Sequence, residues 1–282
     1  QEILDRCRAE DVPFWRVVRA SDMEQRQVTA EASREKMRQT WLAMLESEES
    51  YQAQRRSLSG LVGGDGGRMR DFAAQGQSLS GDYLSEVIAT ALRVGEGNAC
   101  MRKIVAAPTA GASGILPAIV VCCGEEQHMD DEALCMALFA AGAVGAIVAE
   151  NASIAGASGG CQAETGTGAA MAAAALAQMK GADPEISLTA AAITLKNCMG
   201  LVCDPVGGLV ECPCIKRNAI GVTNAVLSCD LAMAGIPSLI PFDEVVEAMK
   251  SVGDAMSSDL KETARGGVAA TKTGKALTRN IL

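Results

Sequence analysis

Aromatic residues make up only 3% of this 282-residue chain, with two tryptophans, two tyrosines and four phenylalanines. A β-sandwich core leans on large and β-branched side chains, so the scarcity argues against one, and the abundant Ala, Gly and Met point to helices packed through small faces. Histidine is nearly absent. His128 is the single one, which leaves a Ser–His triad and a histidine-rich metal site without materials; its place after Glu125, Glu126 and Gln127 is that of an exposed loop residue. Excess positive charge is lacking too. With 25 Lys and Arg against 34 Asp and Glu, the formal net charge is −9, and a surface that grips nucleic-acid phosphates needs the opposite. The basic stretch with Lys272, Lys275 and Arg279 reads as a solvated tail. No nucleotide fingerprint is complete: Gly274-Lys275 is followed by Ala276, and Gly64-x-Gly66 lacks the third glycine. The apolar run over residues 104–123 is interrupted by Pro108, Gly111, Gly114 and Pro117, so no stretch reads as a membrane span. The opening QEILDRCRAEDVPFW is charged throughout and carries no apolar leader, from which a cytoplasmic location is expected.

What is present supports a large core, since 49% of residues are hydrophobic. The expected fold is mainly α: a multi-helix catalytic domain over residues 1–282, with glycine-rich loops converging on a metal cluster. Within it, an amphipathic helical region covers about 1–60 and a cluster-binding region about 100–282. Met37, Trp41, Met44 and Leu45 form one helical stripe, and the glycine-rich segment 60–68 is read as the loop that ends it. Further helices are predicted through residues 84–92, from Asp130 or Asp131 onward, over 168–179, from Asp183-Pro184-Glu185, over about 219–234, and from Phe242 or Asp243. The run AIVVCC after Pro117 reads as a buried helix or a short strand. No internal repeat is visible, and the strand–helix alternation of a dinucleotide-binding sheet is missing.

Eleven cysteines in a chain of this length fit reduced thiols or metal ligands better than a disulfide scaffold. Cys122, Cys123, Cys135, Cys198 and Cys229 lie in apolar runs and read as core. Cys161, Cys203 and Cys214 stand instead in glycine- and proline-rich surroundings, spaced C-x41-C-x10-C. Three thiolates suit an iron–sulfur centre or zinc and leave one metal position open for a substrate. Structural zinc sites bring cysteines in close pairs, and the one close pair here is Cys212-Pro213-Cys214. Four loops combine glycine with small polar residues: GLVGGDGG, PTAGASG, NASIAGASGGCQAETGTG and DPVGGLVECPC. They are either tight turns between small-residue helices or backbone cradles for a small anion.

The segments PTAGASGILPA, ENASIAGASGGCQAETGTGAAMAAAAL, GLVCDPVGGLVECPCIKRNAIGVTNA and ETARGGVAAT resemble the α chain of iron–sulfur-dependent bacterial L-serine dehydratases, a likeness that spans nearly the whole chain. The resemblance implies a cytoplasmic, oxygen-sensitive enzyme of amino-acid degradation and gluconeogenesis, in which a [4Fe–4S] cluster serves the β-elimination of L-serine to pyruvate and ammonia. Its cluster cysteines fall on Cys161, Cys203 and Cys214, with Cys212 a rival of Cys214 for the third place. It also implies a smaller β chain, which contributes a Ser-His-Thr-type segment near the active site, and a higher oligomer. The substrate-binding candidates are Thr109, Gly111, Ala112, Ser113, Ser153 and Ser158. Glu164 and Lys196 are the candidate bases, and Asp204 a candidate for orienting ligands or relaying a proton. The alternatives are L-cysteine desulfidation or L-threonine dehydration at the same cluster, a pyridoxal phosphate enzyme of the same net reaction, and a non-catalytic metal-binding subunit.

Overall fold

The computed structural model describes residues 1–281. Among the described residues thirteen α-helices follow one another: α1 (Glu2–Glu10), α2 (Phe14–Arg26), α3 (Ala30–Glu49), α4 (Asp65–Ala74), α5 (Gly81–Ala99), α6 (Ile115–Gln127), α7 (Asp131–Asn151), α8 (Gly156–Gly159), α9 (Thr167–Met179), α10 (Pro184–Asn197), α11 (Cys214–Met233), α12 (Phe242–Ala255) and α13 (Lys272–Ile281). The fold is mainly helical, and no strand forms among the described residues; one isolated parallel bridge joins Cys203 and Lys261.

The near-polyalanine helix α9 lies at the centre, and every residue of it except Gln178 is buried. It packs against α6, α7, α10 and α11. Small faces let these backbones approach. A methyl placed on Gly168 would stand 3.0 Å from the Ala107 carbonyl oxygen and 3.1 Å from Cβ of Ala112, so α9 presses directly on the chain that carries PTAGASG. Ile115, Ile119, Val144 and Leu195 are fully enclosed around it, each such side chain contributing about 1.5–3 kcal/mol.

The helix signals are obeyed in most places. Trp41 and Met44 are buried as the α3 stripe requires, and Trp41 Nε1 donates to Asp131 at the head of α7 at 2.9 Å. Asp130 caps α7 by accepting from the Ala133 N–H at 2.9 Å, and Pro184 opens α10. The AIVVCC run is helix, not strand, with Pro117 in the first turn of α6 where its missing N–H is harmless. Three expectations need correction. The glycine-rich segment 60–68 is not all loop, because α4 starts at Asp65: the buried Glu96 carboxylate accepts from the Asp65 N–H at 2.7 Å and the Gly66 N–H at 3.2 Å, capping the helix from α5. Helix α11 starts at Cys214, ahead of the apolar pattern, because its first inward positions are Cys214, Ile215 and Asn218. Finally, α7 is long and apolar enough to cross a membrane by length and composition, but 61% of that stretch is buried inside the protein, as a core helix would be.

Candidate active site

Cys161 ends a left-handed glycine turn at Gly160 and starts the helical stretch that leads into α9. The next five residues, Gln162–Gly166, form a π turn, a wide turn frequent at functional sites. This turn carries Glu164. Cys203 sits in the extended link after α10, its N–H donating to the Leu260 carbonyl at 2.8 Å and its carbonyl accepting from the Glu262 N–H at 2.7 Å. Cys214 is the first residue of α11. All three thiols are buried and unbridged.

Cys203 and Cys214 each carry Cys161 among their charged neighbours. Burial first, then the neighbouring charges of Glu164, Cys161 and Cys214, push the Cys203 thiol far up; burial and Cys161 push Cys214 up to about 12. Cys161 Sγ also lies 3.1 Å from Thr165 Oγ1. Cys212 stays half-buried, its carbonyl accepting from the Val206 N–H. Among the described residues no group of three or more His, Cys, Asp and Glu side chains forms a cage for a single metal ion.

Glu164 stands beside the thiols at the meeting of two glycine loops. A methyl on Gly156 would lie 2.8 Å from Cys203 Sγ and 3.0 Å from Glu164 Oε2, and one on Gly111 would lie 3.5 Å from the same oxygen. Glycine here makes room for the carboxylate. Burial raises the Glu164 pKa above its ordinary value, and Glu262 adds to this; the Thr109 hydroxyl, the Gly156 N–H and Arg217 pull the other way. Thr109 stands just before the short turn Ala110–Ala112, with no capping hydrogen bond from its side chain. Its Oγ1, like that of Ser113, is shielded from solvent without a hydrogen-bond partner of normal geometry, a state that costs about 1–3 kcal/mol per group unless a ligand answers it.

Other expected site residues are placed elsewhere. Gly111 and Ala112 belong to the turn beside Glu164, but Ser153 and Ser158 line a cleft against α12 with Met249 and Gly253, and the Ser153 hydroxyl is already bonded to the Ala155 N–H at 3.1 Å. The Lys196 ammonium donates to the Ser238 carbonyl, committed to the link between α11 and α12. Asp204 is bonded by Arg217 at 2.8 Å and by the Val268 N–H at 2.6 Å. In the GLVGGDGG loop, Gly63 and Gly64 pack against Arg56 and Gly66 against Arg93.

Two residues were missed. Asn218 is 1% exposed and clamps the PTAGASG loop to the head of α11: its Nδ2 donates to the Gly111 and Cys214 carbonyls at 2.9 and 3.0 Å, and its Oδ1 accepts from the Gly114 N–H at 3.0 Å. Arg217 donates to the Val202 carbonyl at 2.7 Å besides Asp204. Their signal was positional, since residues three and four beyond Cys214 share its helix face.

Fold and sequence together define a mainly helical protein whose loops carry buried thiols, a half-buried carboxylate and shielded hydroxyls. The family model described as serine dehydratase alpha chain matches residues 9–269, and the chain belongs to that family. It is 49% identical over 225 residues to a probable L-serine dehydratase, alpha chain, of Bacillus subtilis, covering 80% of this chain and 75% of that one. Against the L-serine dehydratase, alpha chain, of Peptoniphilus asaccharolyticus it is 42% identical over 283 residues, covering 100% and 97%. An L-serine dehydratase of Escherichia coli is 41% identical over 210 residues, which are 71% of this chain but 46% of that longer protein.

Proposed function

We propose that this chain is the cluster-bearing α chain of an L-serine dehydratase. The observation that supports the reading is that Cys203 and the Glu164 carboxylate both border Gly156, with buried Cys161 and Cys214 as charged neighbours of Cys203 and the shielded Thr109 hydroxyl beside Glu164. The donor set fits an iron–sulfur cluster. All three soft thiols are buried, and burial raises the pKa of Cys203 and Cys214, a cost that a bound cation would offset by stabilising the thiolates. Held by these cysteines, a [4Fe–4S] cluster would supply one iron free of protein thiolate, a Lewis acid for the serine hydroxyl.

The chain's own residues account for binding and proton removal. The Thr109 and Ser113 hydroxyls, with the backbone of Gly111 and Ala112 between them, receive the substrate carboxylate and end their isolation. Glu164 takes the α-proton on Oε2; burial keeps this carboxylate a better base than a solvated one. The Cβ–O bond breaks as the electron pair of the Cα–H bond forms the double bond, the leaving hydroxide takes the proton held by Glu164 and departs as water, and the aminoacrylate hydrolyses to pyruvate and ammonia. The longer relatives are consistent with a second, β chain that completes the enzyme; a cytoplasmic setting and a higher oligomer belong to the same proposal.

The test is purification without oxygen, quantification of iron and sulfide, and pyruvate formation from L-serine with and without a co-expressed second chain. Brown protein with about four iron and four sulfide per chain is expected, and Cys161→Ala, Cys203→Ala and Cys214→Ala each lose them. Colourless, iron-free material sinks the cluster, and a cysteine variant with intact cluster and turnover sinks the ligand set. Faster turnover of L-threonine or L-cysteine reassigns the substrate.

A further inference from the structure

Arg217 lies one helical turn past Cys214 and reaches from α11 to the loop that carries Cys203. Nη1 donates to the Val202 carbonyl at 2.7 Å and Nη2 to Asp204 Oδ1 at 2.8 Å, so one guanidinium grips the residues on both sides of that cysteine. The pair is largely enclosed, with 11% of the Arg217 side chain and 3% of the Asp204 side chain exposed. A forked cation in such a place has fixed geometry that a lysine's single ammonium does not reproduce. The same Asp204 accepts from the Val268 N–H at 2.6 Å, which ties the C-terminal segment to the grip.

We propose that Arg217 is the positioning residue for Cys203 and Cys214 in the three-thiol site: bonded to Val202 and Asp204 from the helix that Cys214 begins, it locks the Cys203 loop against that helix. The thiols are thereby held in register by the chain itself, ahead of cluster insertion. This rests on the reading of Cys161, Cys203 and Cys214 as cluster ligands, but makes a separate claim about what aligns them. Asn218 fixes the loop on the opposite side, and nothing else on α11 reaches the Cys203 segment with two donors.

The experiment uses the full chain, prepared without oxygen, as wild type, Arg217→Lys, Arg217→Gln and Asp204→Asn. Before cluster reconstitution, alkylation by iodoacetamide is followed cysteine by cysteine with mass spectrometry; afterwards, iron release to a chelator is timed. Both Arg217 variants are expected to unmask Cys203 and Cys214 while Cys135 and Cys229 in the core stay protected. Iron release should accelerate about 10–100-fold in Arg217→Gln, with Arg217→Lys between it and wild type. Wild-type alkylation and iron release in both Arg217 variants overturn the proposal. Should Arg217→Gln unfold and label every cysteine, the same readouts in Arg217→Lys and Asp204→Asn decide. If wild type takes up no iron while the variants still unmask Cys203 and Cys214, the positioning role stands and the cluster reading falls.

Discussion

At Thr109, stability and turnover pull in opposite directions. Its shielded hydroxyl reaches only the Glu164 carboxylate, outside normal hydrogen-bond geometry, so replacing it with an isosteric methyl removes part of a desolvation penalty of about 1–3 kcal/mol. Thr109→Val is therefore expected to leave the urea midpoint unchanged or raised while serine turnover collapses; a lower midpoint would make the hydroxyl a structural one. Glu164 offers the complementary test. Its carboxylate stands beside Cys203 at the glycine loops but is not placed as a sulfur ligand, so Glu164→Gln is expected to retain iron and lose about 10²–10⁴-fold in kcat. Measured iron content and pyruvate formation separate a proton-handling role from a cluster-holding one.

At the scale of elements, short helical starts do much of the positioning. Asn218 satisfies the Gly114 N–H and the carbonyls of Gly111 and Cys214 in one stroke. Asn218→Leu strands these buried groups, and a loss of about 1–3 kcal/mol in urea unfolding is expected, with weaker serine binding because the Thr109 loop is freed. The cap of α4 can be tested by pH. The Tyr51 hydroxyl donates to Glu96 Oε2 at 2.8 Å, and burial, reinforced by that bond, pushes the phenol's pKa from 10 up to about 12. A raised folded pKa contributes stability that is complete below about pH 10 and is lost as the pH climbs through about 12. Tyr51→Phe should therefore be less pH-sensitive than wild type between pH 10 and 12, as read from melting temperatures across that window.

For the whole molecule, the C-terminal segment acts as a strap over the site. It pairs with both faces of the Cys203 peptide, inserts Gly267 against Asp204, and seats α13 on the turn at residues 206–208. The large apolar core runs from Phe14 to Met249 and ends before this strap begins. A chain ending at Met256 is accordingly expected to keep the circular dichroism of the α1–α12 bundle but to lose iron retention. Truncated protein with a full, stable cluster would show that the strap is dispensable.

Most helices were legible because each signal was local: Asp130 ahead of α7, Pro184 at the start of α10, the Met37, Trp41 and Met44 stripe of α3. The start of α11 was not, because Cys214 and Asn218 count as polar in a periodic pattern yet face inward. The same holds for segment 60–68, whose glycines spell a loop until Glu96, about thirty residues away in sequence, is found capping α4. Of the candidate site, composition and motif singled out Cys161, Cys203, Cys214, Glu164 and Thr109, since soft donors and glycine loops declare their chemistry by type. Only the tertiary structure separated Lys196, Ser153 and Ser158 from them and added Arg217 and Asn218. Side-chain type and local periodicity are written in the sequence, whereas which distant backbone groups need a partner is decided when the helices pack.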